Sequence, residues 1–138
     1  MSFDAKAKEL GLEIPEAPKP VAAYVPGVLV DDFIYTSGQI PFVNGELKYK
    51  GKVGGEVSEE DGYEAAKICV INCLGVIKSL VGSLDKVENV VKPQIINGAS
   101  ELLGEIFGEV GQHARSAVGV SELPVDAAVE VEMIVKVK

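Results

Sequence analysis

Apolar side chains recur every third or fourth position along two stretches of this chain and every second position near its C-terminal end. From Ser58 onward, Ala65, Ala66, Cys69, Cys73, Val76, Ile77 and Leu80 fall on one stripe of a helix. Ser58 is placed to cap that helix, Glu59, Glu60 and Asp61 suit the positive end of its dipole, and Gly82 stops it. A second helix is predicted from about Gly98 to Val110, with Ala99, Leu102, Leu103, Ile106, Phe107 and Val110 inward and Gly111 closing it. A short helix over Phe3 to Leu10, capped by Ser2 and stopped by Gly11, precedes both.

Strands are predicted elsewhere. Pro15, Pro18 and Pro20 force an extended arm. Val21 to Val25 reads as a first strand turning at Pro26-Gly27, and Val28 to Thr36 as a second with a bend or turn at Asp31-Asp32. Val43-Asn44-Gly45-Glu46 carries the Asn-Gly hairpin signal, and Gly51, Gly54 and Gly55 mark a segment without regular structure. Near the end, Val129, Val131, Met133, Val135 and Val137 form the apolar face of a strand, with Glu130 and Glu132 pointing the other way. Arg115 to Val120 reads as its partner, with Arg115, Ala117 and Gly119 on one face and Ser116, Val118 and Val120 on the other. Small residues leave open surface above the guanidinium. An arginine and a carboxylate on adjacent strands, with space over them, make a site for a small anion. The same pattern also reads as a solvated face, or as a cross-strand ion pair worth less than about 1 kcal/mol.

Several strands with two longer helices suit an α+β sandwich in which both helices cover one sheet face. No repeat or linker divides the chain, so residues 1–138 are expected to form one domain. With 47% hydrophobic and 25% charged residues the composition is that of a globular protein. No apolar run approaches the ~18 residues of a membrane span. Met1 to Lys6 lacks the basic start and apolar core of a signal peptide, so a cytoplasmic location is expected. The net charge of −8 disfavours a nucleic-acid partner. Arg115 is the sole arginine among otherwise lysine cations, which draws attention to its planar fork. Cys69 and Cys73 share one helical face and read as buried small hydrophobes; neither a disulfide nor a metal site is suggested.

The segment from His113-Ala114-Arg115 to Leu123-Pro124, followed by Glu130-Val131-Glu132, resembles the C-terminal signature of the RidA/YjgF family of reactive-intermediate (enamine/imine) deaminases. Thr36-Ser37-Gly38-Gln39-Ile40-Pro41 is similar to the family's T-S-G-Q-[IL]-P segment, and Tyr24 stands where its N-terminal tyrosine is expected. The helix from Ser58 and the Asn97-Gly98-Ala99-Ser100 helix match in order and spacing. The resemblance implies a chorismate-mutase-like α/β sandwich: a mixed sheet with two helices on one face, assembled as a homotrimer around a central barrel-like core. It implies a site between subunits and a substrate that is the enamine or imine of a 2-keto acid, released as keto acid and ammonia. Arg115 would hold the substrate carboxylate, Ser37 and Gly38 would bring backbone close to it, Glu130 would assist proton transfer and water attack, and Tyr24 would close the pocket and position the water. No cofactor and no metal are implied, because the imine carbon is already electrophilic. Two other readings stay open: a metabolite-binding regulatory trimer with little turnover, and the translation inhibitor or endoribonuclease activity attached to some relatives (the endoribonuclease L-PSP and translation initiation inhibitor names).

The chain departs from the family pattern in places. Ala117 stands where cysteine is common, and His113 replaces a proline. His113 is a further candidate, as a proton shuttle at the entrance or simply as a loop histidine. Asn97 is either a helix cap or a pocket group, with capping preferred, and Glu132 reads as a surface or supporting partner. Val90-Val91-Lys92 runs straight into Pro93, shorter than the resemblance implies. Either the chain carries a real deletion or a loop is missing between Lys92 and Pro93. The second is the expectation, because a strand cut short would uncover core.

Overall fold

A computed structural model describes residues 2–19, 23–94, 97–116 and 119–138, the side chains of residues 94 and 97 excepted. The ends of the long helices follow the local signals. α1 spans Phe3–Glu9, with Ser2 Oγ accepting from the Ala5 N–H at 3.0 Å. α2 spans Glu59–Val81, with Ser58 Oγ accepting from the Asp61 N–H at 3.1 Å and Gly82 closing it at φ 87°. That left-handed turn is where glycine avoids the strain of a Cβ. α3 spans Asn97–Phe107 and tightens into a 3-10 turn over Gly108–Gly111. The predicted inward stripe of α2 is buried except at Leu80, which is 38% exposed at the helix end.

Four strands form the sheet in the order β1-β2-β6-β5: β1 is Gly27–Val30, β2 Phe33–Thr36, β5 Val87–Gln94 and β6 Glu132–Val137. All of these pairs are antiparallel. β3 (Phe42–Val43) and β4 (Glu46–Leu47) make the Asn-Gly hairpin, with Asn44 and Gly45 both at positive φ as its turn requires.

Several expectations are corrected. The strand expected at Val21 to Val25 does not form over Ala23–Val25, and residues 21–22 lie outside the described ones; the first strand opens at Gly27. The turn at Asp31-Asp32 is present, but it divides Val28 to Thr36 into two paired strands and not one. Asp31, at φ 51°, reverses the chain there, so the segment is a two-strand hairpin pairing Val28 with Tyr35. β5 continues through Pro93, whose neighbours Lys92 and Gln94 pair in sequence with Ile134 and Glu132, so no loop interrupts the chain at Lys92-Pro93 and the short junction is a real shortening. Proline is tolerated because its missing N–H faces the outer edge of β5, away from the ladder with β6. There the Ala114 and Ser116 amides instead donate to the Val91 and Pro93 carbonyls, at 3.2 and 3.5 Å. These bonds advance in the same direction along both segments, which makes a parallel addition to an otherwise antiparallel sheet. The strand expected over Arg115 to Val120 is, among the described residues, only this bridge at Ser116; Ala117 and Val118 lie outside them.

Alternation sorts the sheet into two faces. Ile34, Val87, Val90, Val131, Met133, Val135 and Val137 pack against α2 and α3 in one core with Leu74, Ile77, Leu103 and Phe107. Among the described residues, the other face carries no helix. Cross-strand partners Val28, Tyr35 and Ile134 lie along it, with Val28 44% and Tyr35 45% exposed. α1 is tied to the end of α2 by Asp4, which accepts from Ser83 Oγ and the Leu84 N–H and pairs with Lys78 Nζ at 3.0 Å. Phe3 meets Phe107 edge-on at 4.8 Å.

Candidate active site

The Thr36 to Pro41 segment leaves β2 and is fixed from both sides. Gln39 and Val131 exchange both backbone hydrogen bonds, at 2.7 and 2.9 Å. Asn72 on α2 donates its amide to the carbonyls of Ile40 and Phe42, at 3.1 and 3.0 Å. Two predicted site residues meet in this frame. Glu130 precedes β6 and points to the helix-free face, where its carboxylate lies against Gly38. A Cβ built at Gly38 would stand 2.5 Å from Glu130 Oε1. Glycine is therefore demanded here by the carboxylate, not by a turn.

Ser37 spends its groups on structure. Its hydroxyl donates to the Val25 carbonyl at 2.7 Å and its N–H to the Pro26 carbonyl at 2.7 Å. Those bonds hold the segment carrying Tyr24, which is 60% exposed, beside Ser37 and Gly38. Burial, and then the neighbouring Glu132 carboxylate, push the Glu130 carboxyl above its ordinary value. A carboxyl so placed is better matched to proton transfer near neutrality.

Arg115 stands elsewhere. Its Nη1 donates to Ser100 Oγ on α3 at 3.4 Å, and its backbone neighbours bond to the outer edge of β5. The expectation that Arg115 and Glu130 occupy adjacent strands is thus corrected, because β5 lies between them. Two strand intervals are about 10 Å. His113 Nδ1 lies 3.1 Å from the Ala114 carbonyl, a local contact. Asn97 is the first residue of α3, as a cap-region residue would be; its side chain lies outside the described ones. Glu132 is exposed on β6. One protomer therefore assembles Glu130, Ser37, Gly38 and the Tyr24 segment, and carries Arg115 with Ser100 as a second group.

Sequence reading missed Asn72 and the side-chain bonding of Thr36, which accepts from the Met133 N–H at 2.9 Å. A signal existed for Asn72: a carboxamide three residues after Cys69 interrupts the apolar stripe, and a half-buried amide next to a core stripe finds carbonyls. Among the described residues no group of three or more His, Cys, Asp or Glu side chains could hold a metal ion.

Comparison with known proteins settles the lineage. A family model described as "YjgF/chorismate mutase-like, putative endoribonuclease" matches residues 4–137. The chain belongs to the YjgF family. It is 35% identical over 147 aligned residues to Protein TCP17 of Trypanosoma cruzi, covering 96% of this chain and 92% of that one. That alignment is longer than the 138-residue chain itself, so TCP17 has residues this protein lacks, in keeping with a real shortening. The 2-iminobutanoate/2-iminopropanoate deaminase of Dermatophagoides farinae is 32% identical over 133 residues, covering 92% and 95% of the two chains. Among solved structures, the Agrobacterium tumefaciens protein Atu1372, of unknown function, superposes with a TM-score of 0.88 at 34% identity, covering 99% of this YjgF-family chain and 93% of its own. The α+β fold with helices against an antiparallel sheet is that of the family.

Proposed function

We propose that this protein hydrolyses reactive 2-imino acids, or their enamine tautomers such as 2-aminoacrylate, to 2-keto acid and ammonia. The observation that carries this reading is the Glu130 carboxylate seated on Gly38, with its proton affinity raised. Kinship at 32% identity to a protein named as an imine deaminase supports it. In the reaction, Arg115 holds the substrate carboxylate through its planar fork. Glu130 takes a proton from water as the oxygen adds to the C=N carbon, then returns it to nitrogen. The carbinolamine then collapses: Glu130 takes the hydroxyl proton and passes it to the amine, the C=O bond forms as the C–N bond breaks, and ammonia leaves. Tyr24 closes the pocket and Gly38 lets the substrate and the carboxylate approach closely. The reaction consumes only water.

Because Arg115 and Glu130 lie on opposite sides of β5, the complete site is inferred to form between copies of the chain in a homotrimer. The helix-free face, with Val28, Val30 and Tyr35 exposed, supports such an assembly by offering apolar surface to the barrel-like core. Free, buried thiols suit a reducing, cytoplasmic setting. No helix among the described residues is long and apolar enough to cross a membrane. A net charge of −8 weighs against the endoribonuclease reading.

The test generates 2-aminoacrylate with a serine dehydratase and follows pyruvate release with and without the protein. Faster release, lost in Glu130→Gln, is expected. Release unchanged by the wild-type protein, together with saturable binding of a keto acid, would favour the metabolite-binding reading instead. A monomer by light scattering at micromolar concentration would overturn the trimer.

A further inference from the structure

Val129 and Glu130 lie just before β6, where, among the described residues, the sheet offers little backbone pairing beyond the Val131–Gln39 bridge. The Val129 and Val131 carbonyls sit beneath α2, Val131 also accepting from the Gln39 N–H at 2.7 Å, and a buried carbonyl left unpaired costs about 1–3 kcal/mol. The helix supplies partners. Cys69 Sγ donates to the Val129 carbonyl at 3.7 Å and Cys73 Sγ to the Val131 carbonyl at 3.4 Å. The spacing is commensurate: four helical residues rise about 6 Å, and two extended residues advance about 6.6 Å. Thr36 extends the network, accepting from the Met133 N–H at 2.9 Å and touching Cys73 Sγ at 3.8 Å. Met133 N–H, Thr36 hydroxyl, Cys73 thiol and Val131 carbonyl thus form one chain of donors and acceptors. Burial keeps both thiols protonated and hence donors, with Cys73 pushed up to about 12 and Cys69 higher still.

We propose that Cys69, Cys73 and Thr36 are positioning residues, whose buried hydrogen bonds to the backbone on either side of Glu130 fix its carboxylate over Gly38. The proposal rests on the catalytic reading of Glu130, and it extends the expected role of the cysteines from filling space to donating at two defined carbonyls. Alanine at both positions would leave the Val129 carbonyl to find another partner and the Val131 carbonyl with the Gln39 N–H alone, and the segment carrying Glu130 would shift.

The experiment compares Cys69→Ala/Cys73→Ala with Cys69→Ser/Cys73→Ser, and Thr36→Val with Thr36→Ser. Three quantities are read on each: kcat for imine hydrolysis, the 13C titration of the Glu130 carboxyl (assigned by its loss in Glu130→Gln), and Tm. The alanine pair and Thr36→Val are expected to lower kcat about tenfold, as small misplacements of a reacting group do, and to move the Glu130 titration toward the ordinary glutamate range, with Glu132 its remaining charged neighbour. The serine variants keep donors and should recover both, even where Tm stays low. Wild-type kcat and titration in the alanine pair would overturn the proposal and leave the thiols as packing; so would equal losses in the alanine and serine pairs. Because the titration needs no turnover, a shift there in a protein without imine hydrolysis would uphold the positioning role while refuting the deaminase reading.

Discussion

The Glu130 side of the candidate site and the Arg115 side are built in contrasting ways. Glu130 sits in a backbone held by Gln39 within the sheet and by Cys69, Cys73 and Thr36 from the helix side, with its carboxylate against Gly38. Arg115 rides on the outer edge of β5, where two backbone bonds at 3.2 and 3.5 Å attach its neighbours, and it reaches Ser100 on α3. One half is completed inside the fold and the other faces outward. The difference teaches that the proposed proton-transfer group, Glu130, is preorganised by the chain itself, whereas the proposed carboxylate-binding group, Arg115, stands at the sheet edge with Ser100. Precise placement matters most for the group that moves protons.

Substitutions at the two charged residues should have the largest effects and sharpen this contrast. Glu130→Gln should lower kcat by about 10²–10⁴-fold with modest change in KM, since it removes proton transfer and little ground-state binding. Arg115→Lys should lower kcat/KM roughly 30- to 1000-fold, from about 2–4 kcal/mol of lost bidentate contact, while Tm holds. Steady-state kinetics and thermal unfolding on the same samples check both. If Arg115→Lys keeps wild-type turnover and loses Tm instead, the arginine is structural and the contrast collapses.

Gly38→Ala comes next. The added methyl collides with the Glu130 carboxylate, so turnover should fall about 10- to 100-fold. Circular dichroism should show the fold retained; full activity in this variant would mean that the carboxylate does not work from its seat on Gly38.

Glu130 must be ionised to accept a proton, and its carboxyl is raised by burial and by Glu132. Activity should therefore fall as pH drops through a value above the ordinary glutamate range. Glu132→Gln removes the repelling charge and should move that acid limb to lower pH without abolishing turnover. A pH–rate profile that ignores Glu132 would break the electrostatic part of the account.

The smallest expected effect lies far from the site. Burial opposes ionisation of Asp4, but its bonds from Ser83, Lys78 and the Leu84 N–H outweigh this and hold the carboxyl below its ordinary 3.8. A lowered folded value stabilises above the unfolded one, so this contribution is present above about pH 4 and is lost as pH falls through the folded value. Asp4→Asn should cost about 1 kcal/mol, a few degrees in Tm, and leave kcat unchanged.

Much of the fold was legible because helix ends carry local chemistry. Ser2, Ser58 and Gly82 cap helices where their side chains or their freedom in φ predict, and the alternation from Val129 to Val137 sets a buried and an open face. At Val28 to Thr36 the turn at Asp31-Asp32 was legible but the pairing of its two arms was not, because Asp31 turns the chain without glycine, and β5 was obscured because a proline reads as an end unless its N–H is known to face an outer edge. For the site, the motif residues pointed to Glu130 and Gly38, but spacing could not show that a carboxylate fills the place of a Cβ. Strand order cannot be read from alternation, so Arg115 was set beside the Glu130 strand when β5 intervenes. Cys69 and Cys73 read as hydrophobes because a thiol's hydrogen bond leaves no trace in periodicity.

The central claim is that Arg115 of one copy works with Glu130 of another on a single imino acid. Complementation tests it most directly. Arg115→Lys and Glu130→Gln are each purified, mixed in equal amounts, dissociated and reassembled, and assayed for pyruvate release from 2-aminoacrylate. Random reassembly leaves about a quarter of shared sites with both native residues, so activity should return to about a quarter of wild type. A mixture as inactive as its parents, from confirmed mixed oligomers, would show that the two residues do not meet across an interface and would contradict the account.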